Sequence, residues 1–274
     1  MRDIGLHLRL THSLLELAQR AVDFKLPTFQ CFFLHQDTNR FIELDQEEID
    51  QFMKIRNNFK QLFVHSSYWT NLASIKSISL RTIKKELHLA KRLGFTHLIV
   101  HPGCAKGAQG IDEGIDALVR RLNKILKYEQ DVQIVLENTA HGNLSVGSDL
   151  NDFKTILEKI DYPEKISFCI DTVHAHSYGY NIADITEQQH FFAKMNNTIG
   201  FERIALIHLN NTCAGVGSCI DRHELLPDGI IHLDALKQFI LNADIAHIPV
   251  VMELPATESA IEKEHIDLVR YWHQ

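Results

Sequence analysis

Short apolar runs alternate with longer amphipathic stretches along almost the whole chain. The runs are apolar at successive positions, which is typical of strands that are buried on both faces of a parallel sheet. We predict strands at Ile4–Leu8, Thr28–Leu34, Gln61–His65, His97–His101, Gln133–Asn138, Ile166–Asp171, Ile204–Leu209 and Ile248–Glu253.

Helical periodicity fills most of the segments between these runs. Ser13 and Asp149 are suited to cap helices, and Gly94 is suited to end one. We predict helices after Ser13, at Gln46–Asn58, at Ser77–Leu93, at Asp112–Tyr128, between Asp149 and Ile160, and at Asp184–Thr198, Leu233–Leu241 and Glu258–Tyr271.

The alternation of strands and helices predicts the fold class. Eight strand–helix units in 274 residues suit a single (β/α)8 TIM barrel domain spanning residues 1–274. A doubly wound open sheet is the alternative. The sequence contains no G-x-G-x-x-G or P-loop motif that would favour such a nucleotide-binding fold.

Six of the predicted strands end at a residue that can bind a metal, namely His65, His101, Glu137, Asp171, His208 and Glu253. In a (β/α)8 barrel the carboxyl ends of the strands form the active-site face, so these side chains are expected to converge. No strand ends in Lys or Arg, and packed imidazoles and carboxylates without cations would repel or desolvate one another. Metal ions would remove that cost, and the pattern therefore predicts a metal site.

Two local pairs add further ligands. His174 is three residues after Asp171, and Asp221 is two residues before His223 in the long segment after the seventh strand. Nitrogen and oxygen donors without thiolate suit Zn²⁺, with Mn²⁺ or Fe as substitutes. Nine such ligands are too many for one ion, and three ions with Glu137 bridging two of them would use the whole set.

Composition and charge bear on the partners and the cellular location of the protein more than on its chemistry. The formal net charge of −7 argues mildly against nucleic acid as a partner, but three Zn²⁺ ions would offset most of it. The five cysteines are odd in number and scattered, which favours a cytoplasmic location. Cys213 and Cys219 match no common zinc motif. The sequence has no apolar run of 18 residues and no signal-peptide core at its start, so we expect no membrane association.

Several longer strings make a resemblance specific. They are HPG at His101, ENTA at Glu137, CIDTVHAHSYGY from Cys169 to Tyr180, HLN at His208, GSCIDRHE from Gly217 to Glu224, and MEL from Met252 to Leu254. In order and spacing the chain, from Gly5 to Glu253, resembles the endonuclease IV family of zinc-dependent apurinic/apyrimidinic endonucleases, which have a (β/α)8 fold.

The resemblance implies a full set of zinc ligands. One ion would be held by His65, His101 and Glu137, and a second by Glu137, Asp171, His208 and Glu253. The third would be held by His174, Asp221 and His223.

The same resemblance implies hydrolysis of the phosphodiester 5′ to an abasic site in double-stranded DNA, a step of base excision repair. A hydroxide bridging the first two ions would be the nucleophile, because zinc lowers the pKa of bound water to about 7. Glu137 or Glu253 would orient the attacking water. Tyr68 matches a family tyrosine near the DNA, and Arg222 is either a phosphate contact or part of a loop salt bridge. We expect the protein to be a monomer.

The departures from the family pattern fall in the segments that would hold DNA. Arg9–Ser13 replaces a small glycine-containing loop, and His35–Arg40 lacks a tryptophan. Asn211 and Thr212 replace the usual Asp and Lys, and Pro227 and His232 stand where the family has glycines. Three alternatives therefore stay open: a divalent-metal sugar isomerase or epimerase, a divergent phosphoesterase, and a binding protein without activity.

Overall fold

The structure is a computed structural model, and it describes residues 2–10, 13–129 and 131–274. Its centre is a parallel sheet of eight strands. The strands are β1 Ile4–Leu6, β2 Gln30–Phe32, β5 Phe63–His65, β6 His97–Val100, β7 Gln133–Glu137, β8 Ile166–Asp171, β9 Ile204–His208 and β10 Val250–Met252. Two further short strands, β3 Leu34–His35 and β4 Arg40–Phe41, form an antiparallel hairpin.

The order of the strands shows a barrel. The parallel sheet has the strand order β1-β10-β9-β8-β7-β6-β5-β2. Each strand of this sheet from β5 onward lies beside the strand of the same sheet that precedes it in the chain, and β1 lies beside β10. The ends of the sheet meet at a parallel bridge between His7 and Gln30, where the Leu8 amide donates to the Gln30 carbonyl at 2.8 Å. The (β/α)8 barrel prediction is confirmed, and the doubly wound alternative is wrong.

Helices surround this barrel in the described residues. They are α1 Leu14–Asp23, α2 Gln46–Arg56, α3 Leu80–Arg92, α4 Ile111–Leu126, α5 Leu150–Lys159, α6 Thr172–Tyr178, α7 Ile185–Thr198, α8 Leu233–Leu241 and α9 Ser259–Trp272. Ser13 and Asp149 cap their helices as predicted, each accepting a hydrogen bond from a backbone amide of the first turn. Gly94, with φ of +65°, follows α3. None of the described helices is long and apolar enough to cross a bilayer.

Three sequence predictions are wrong in detail. The predicted strand Thr28–Leu34 contains the whole of β2 and the first residue of β3, and His35 pairs with Arg40 across a hairpin whose turn is formed by residues 36–39. The helix predicted from Ser77 begins at Leu80. Helix α6 was not predicted, because its apolar pattern is too short to show a period and its N-cap is the strand residue Asp171. Other element ends differ by a few residues.

The loop segment Arg9–Ser13, which departs from the family pattern, lies partly outside the described residues, because Thr11 and His12 are not described.

Two layers of apolar side chains explain why the side chains at the carboxyl ends of the strands point into the barrel. Six side chains form a small cluster inside the barrel: Phe63, Ile99, Val135, Cys169, Leu206 and Val251. The residue after each of these packs outward into the large core between sheet and helices. Because successive side chains of a strand alternate in direction, the next residue after that points inward again. Those next residues are His65, His101, Glu137, Asp171, His208 and Glu253.

A buried carboxylate on α3 supports the loop that follows β5. The Ser67 amide donates to Glu86 Oε1 at 3.2 Å, and Oε2 has no hydrogen-bond partner among the described residues. Burial raises the pKa of the Glu86 carboxyl to about 8, although the Ser67 hydrogen bond opposes this. Glu86 is therefore protonated in the folded protein at neutral pH.

We predict that Glu86→Gln gains stability relative to the wild type as the pH rises from about 4.5 to 8. Only the folded state holds the Glu86 proton in this range, so unfolding releases it and the wild type loses about 1.4 kcal/mol per pH unit through this group. Urea unfolding of both proteins at several pH values measures the difference, in which the other titrating groups cancel. A difference that does not change with pH contradicts the neutral, buried carboxyl.

Candidate metal centre

The carboxylate of Glu137, at the end of β7, lies at the centre of the site and is 0% exposed. Its Oε2 is 3.0 Å from Nε2 of His65 and 3.0 Å from Nε2 of His101. Its Oε1 is 2.7 Å from Nδ1 of His208 and 3.4 Å from Nδ1 of His174. One carboxylate is thus surrounded by four imidazoles that come from four different parts of the barrel.

A second group of ligands continues from Glu137 toward β10. Nδ1 of His208 is 3.4 Å from Oε2 of Glu253 and 3.8 Å from Oδ2 of Asp171. Asn210 donates to Asp171 Oδ2 at 2.6 Å and lies 3.3 Å from Glu253 Oε2. The Gln30 amide donates to the other Glu253 oxygen at 2.7 Å. Neutral amides therefore hold both carboxylates in place.

The third group lies at the mouth of the barrel. Oδ1 of Asp221 is 3.2 Å from Nε2 of His174 and 3.5 Å from Nε2 of His223. The His223 Nε2 is also 3.8 Å from Oδ2 of Asp171. Helix α6 and the long segment after β9 thus meet at this point.

Ligand atoms within each of several groups lie within 4.8 Å of one another, a spacing compatible with a shared ion. The groups are His65 with His101 and Glu137; Glu137 with Asp171, His208 and Glu253; and Asp171 with His174 and His223. A further group joins Cys169 to Glu137 and His208. Burial raises the pKa of the Cys169 thiol to about 12, so it stays protonated, whereas metals bind the thiolate.

The orientation of the imidazoles suits metal binding. In four of them one ring nitrogen faces a fixed oxygen acceptor and the other faces the carboxylates. The contacts are His65 Nδ1 to the Ser66 carbonyl at 2.8 Å, His174 Nδ1 to the Asn138 carbonyl at 2.8 Å, His223 Nδ1 to the Glu253 carbonyl at 3.1 Å, and His208 Nε2 to Gln30 Oε1 at 2.9 Å. Such contacts fix which nitrogen carries the proton and leave the opposite lone pair for a metal.

The carboxylates and imidazoles shift one another's ionisation. Burial alone would raise the pKa of the Glu137 carboxyl, but His208 and His101 hold that pKa well below its usual value. Burial lowers the pKa of His174, but Asp171 and Asp221 outweigh it and hold that pKa well above its usual value. The pKa of His208 is likewise well above its usual value despite burial. Without a cation, the imidazoles themselves must carry the compensating charge.

A cavity of about 670 Å³ opens above these groups. Its polar floor is formed by His65, His101, His174, Asp221, His223 and Glu253, and its apolar wall by Leu10, Phe32, Leu34, Leu254 and Pro255. Tyr68 also lines it, with its ring centroid 5.2 Å from that of Phe32. The structure thus brings all nine predicted ligands and Tyr68 to one mouth. Arg222 instead pairs with Glu224 at 3.2 Å and points to solvent, with 74% of its side chain exposed.

Comparison with known proteins shows the family of the chain. A family model described as "Xylose isomerase-like TIM barrel" matches residues 18–272. A Thermosipho melanesiensis protein called "Probable endonuclease 4" is 34% identical over 209 residues, which cover 75% of this chain and 73% of that protein. A Thermotoga maritima protein of the same name is 30% identical over 264 residues, or 93% of this chain and 91% of that protein. The chain belongs to the endonuclease IV family.

Solved structures agree on the fold. Endonuclease IV from Thermus thermophilus matches with a TM-score of 0.86 at 23% identity. The match covers 100% of this chain and 99% of that one. The 3-keto-D-glucoside 4-epimerase of Escherichia coli has a TM-score of 0.70 at 11% identity, covering 99% of this chain and 100% of that one. Both likenesses show the shared barrel alone.

One departure from the endonuclease IV pattern has a structural explanation. Asn211 is buried and donates from its side-chain amide to the carbonyls of Leu226 at 2.7 Å and Ile231 at 2.8 Å. Gly229 packs so closely on Asn211 that an added Cβ would lie 2.2 Å from its side chain. Asn211 therefore anchors the long loop after β9, and this contact leaves no room for a side chain at Gly229.

Sequence reasoning missed three polar residues of the site in this endonuclease IV chain. They are His7, Gln30 and Asn210. Gln30 had a usable signal, because it is a lone amide inside the apolar run of β2. The importance of Asn210 could be seen only in space, where it bridges Asp171 and Glu253.

We predict that Zn²⁺ binding to chelator-stripped protein at pH 7 releases protons, chiefly from His174 and His208. Their pKa values lie well above the usual value, so both rings are protonated without metal and must become neutral to bind it. Calorimetric titration in buffers of different ionisation enthalpy measures the released protons. His174→Ala should release fewer, whereas His190→Ala, on the exposed face of α7, should not differ from wild type. Zinc uptake without proton release contradicts the prediction.

Proposed function

We propose that this member of the endonuclease IV family is a zinc-dependent endonuclease that hydrolyses the phosphodiester 5′ to abasic sites in double-stranded DNA. The observation that carries the proposal is the pair of ligand groups sharing Glu137, with a third group beside them at the mouth of the cavity. Support also comes from the relatives named "Probable endonuclease 4". As part of the same proposal, residues 1–274 act as one catalytic domain, as a monomer, in the cytoplasm.

The residues present fit zinc. Imidazole nitrogens and carboxylate oxygens are zinc ligands, and the tied ring nitrogens described above leave the opposite nitrogen free to bind. In our proposal His65, His101 and Glu137 hold one ion, Glu137, Asp171, His208 and Glu253 hold a second, and His174, Asp221 and His223 hold a third. When bound, zinc supplies a water of lowered pKa and neutralises phosphate oxygens. Mn²⁺ or Fe are substitutes with compatible donor preferences.

Glu253 is better placed than Glu137 to orient the attacking water. Glu137 is 0% exposed, and both of its oxygens are within 3.0 Å of imidazole nitrogens. Glu253 lines the cavity and its side chain is 14% exposed. Its Oε1 accepts a hydrogen bond from Gln30, so the carboxylate is held in place at the cavity. We therefore assign the orienting role to Glu253 and the charge-balancing role to Glu137.

Two adjacent aromatic side chains suit a DNA substrate. Tyr68 and Trp69 follow the β5 ligand His65, and both are exposed, Trp69 to 68%. Aromatic side chains beside a phosphoester site can stack on bases that are displaced from the duplex. Tyr68 lines the cavity, and Trp69 is the exposed residue next to it in the chain, so the pair would supply aromatic surface although the segment 35–40 lacks the family tryptophan. Arg222 is the weaker DNA contact, because it is already paired with Glu224.

The sugar isomerase or epimerase alternative uses the same barrel. The observation against it is the group at the mouth, because Asp221 and His223 add ligands beyond the one or two ions that such enzymes need. No lysine lines the described part of the cavity to transfer protons. A divergent phosphoesterase would share the centre but not the DNA contacts.

The deciding experiment is cleavage of a duplex containing one tetrahydrofuran abasic analogue, by protein whose zinc has been counted by elemental analysis. We expect about three zinc ions per chain and a cut 5′ to the analogue, which cannot react by a lyase route. Glu253→Gln should lower kcat by about 10²–10⁴-fold, whereas Glu258→Gln, an exposed carboxylate ahead of α9, should match wild type. Full zinc loading without a cut would refute the endonuclease proposal.

We predict a binding role for Trp69. Trp69→Ala should weaken binding to the abasic duplex by roughly 5- to 100-fold, because stacking of one base contributes about 1–3 kcal/mol. Tyr128→Ala is the matched control, since Tyr128 is similarly exposed but follows α4 at the opposite end of the barrel. Fluorescence anisotropy of a labelled duplex measures both. Equal affinity of the Trp69 variant and wild type would exclude the stacking role.

A further inference from the structure

One helix of the barrel carries a concentration of positive charge that the metal centre does not use. Residues 76–92, which include α3, contain six Lys or Arg residues and one carboxyl group, in a chain of net charge −7. That carboxyl group, on Glu86, is buried on the inner side of α3. The exposed side of the helix therefore carries positive charge without a carboxylate of its own.

Three cations on this side of the helix lack a counter-ion. Arg81, Lys84 and Lys85 are exposed, and we call them the α3 basic face. The salt bridges of Lys and Arg across the described residues do not include any of the three. Farther along the same helix Lys91 is paired with Asp131 at 2.5 Å. Uncompensated charge is thus concentrated in the first half of α3.

The position of this charge at the start of a helix is unusual in the barrel. Each helix begins at the end of the barrel where the preceding strand finishes, which is the end with the cavity. Seven of the nine described helices have a carboxylate in the first turn, where it interacts favourably with the helix dipole. Helix α3 has none, and Arg81 is its second residue. Because a cation there opposes the dipole, the stability of α3 does not explain the arrangement.

Two contacts join the α3 basic face to the mouth of the cavity. Lys85 Nζ lies 5.4 Å from the ring centroid of Phe41, in the hairpin whose turn lines the cavity. The Asn71 amide donates to the Ser79 hydroxyl at 3.0 Å, so the loop that carries Tyr68 closes at the first turn of α3. A ligand that fills the cavity and extends past the hairpin therefore reaches the α3 basic face next.

The composition of this surface favours a polyanion. A shallow groove of about 650 Å³ is lined by Ile78, Leu80, Arg81, Lys84, Lys85 and His88. A helix that binds a membrane surface presents a wide apolar side, but the apolar side of α3 is buried on the barrel. Protein interfaces have apolar or aromatic centres and are depleted in lysine. A phosphate backbone needs only exposed cations.

We propose that the α3 basic face binds phosphates of the DNA duplex beyond the abasic site, on the arm that leaves the mouth past the hairpin. This inference rests on the proposed function for its substrate. From Arg81 to Lys85 the helix rises about 6 Å. One strand of a duplex advances about 3.4 Å per phosphate, so the face can contact roughly two to three successive phosphates. Such contacts strengthen binding to damaged and undamaged DNA alike, because phosphates carry no sequence information.

The first test is the salt dependence of binding to an undamaged duplex. The triple variant Arg81→Gln/Lys84→Gln/Lys85→Gln removes the charge of the face. Each phosphate contact contributes about 0.9 to the slope of log Kd against log salt concentration, so the slope should fall by about two to three. Fluorescence anisotropy of a labelled duplex at several salt concentrations measures it. A slope equal to that of wild type would refute the proposal even if the protein cuts abasic DNA.

A matched control separates the face from net charge. Lys124→Gln/Lys154→Gln/Lys263→Gln removes the same charge from exposed positions on α4, α5 and α9 and should keep the wild-type slope. Lys84→Arg/Lys85→Arg keeps the charge and should also keep it. Zinc content and the unfolding midpoint should match wild type in all three variants, because the substituted side chains are exposed. An equal fall of the slope in the control would contradict a localised contact.

The second test asks which part of the substrate reaches the face. Two abasic duplexes each have one arm of about 20 base pairs and one of about 5, roughly 17 Å, with the long arm 5′ or 3′ of the lesion. The triple variant should bind one of them about 30- to 150-fold more weakly than wild type at about 0.15 M salt, as the expected change in slope implies. The other should lose little. Equal losses on both duplexes would contradict a contact on one arm.

These readouts separate failure of this inference from failure of the proposed function. If the wild type does not cut the abasic duplex, the salt slope on undamaged DNA still tests the face, because it needs neither lesion nor cleavage. Vesicles of phosphatidylcholine with phosphatidylserine test the other polyanionic surface. Vesicle binding that the triple variant loses, without any difference on duplex DNA, would assign the face to a membrane and overturn the proposal.

Discussion

Burial of the Glu137 carboxylate is the constraint on which the site depends. A carboxylate with no solvent contact is stable only if cations or hydrogen-bond donors compensate its charge. Here the neighbours within reach are four imidazoles, and no Lys or Arg contacts it among the described residues. The site is therefore built for cations that it can gain and lose, which is the behaviour of a metal centre.

The barrel delivers these groups through strand geometry. The inner apolar cluster sets which face of each strand points to the axis, and the ligand two residues later must point the same way. The backbone bridge between His7 and Gln30 joins the two ends of the sheet and closes the barrel. The same bridge places the Gln30 side chain against His208 and Glu253. A residue at the point where the barrel closes therefore also positions two of the predicted ligands.

The loops obey weaker constraints, and there the chain departs from its family. Asn211 replaces an acidic residue yet keeps the long loop closed through backbone carbonyls. Aromatic surface is present at Trp69, supported from below by the Glu86 hydrogen bond to the β5 loop. Seven of the nine predicted ligands lie at the ends of barrel strands or on α6, and only Asp221 and His223 lie in the long loop after β9. Most of the centre can therefore be maintained by the barrel while the substrate-facing surface changes.

The sequence by itself determined the barrel and predicted which side chains meet at the carboxyl ends of its strands. Apolar runs spaced by one helix, six of the eight ending in or just before His, Asp or Glu, suffice because the strand period and the carboxyl-end rule are local properties. It could not show the hairpin after β2 or helix α6, which are too short to have a period. The tertiary structure alone decided that Glu137 takes the central position, that Arg222 pairs with Glu224, and that Gln30 lies between His208 and Glu253. Those outcomes depend on distances between atoms far apart in the chain, which residue pattern does not encode.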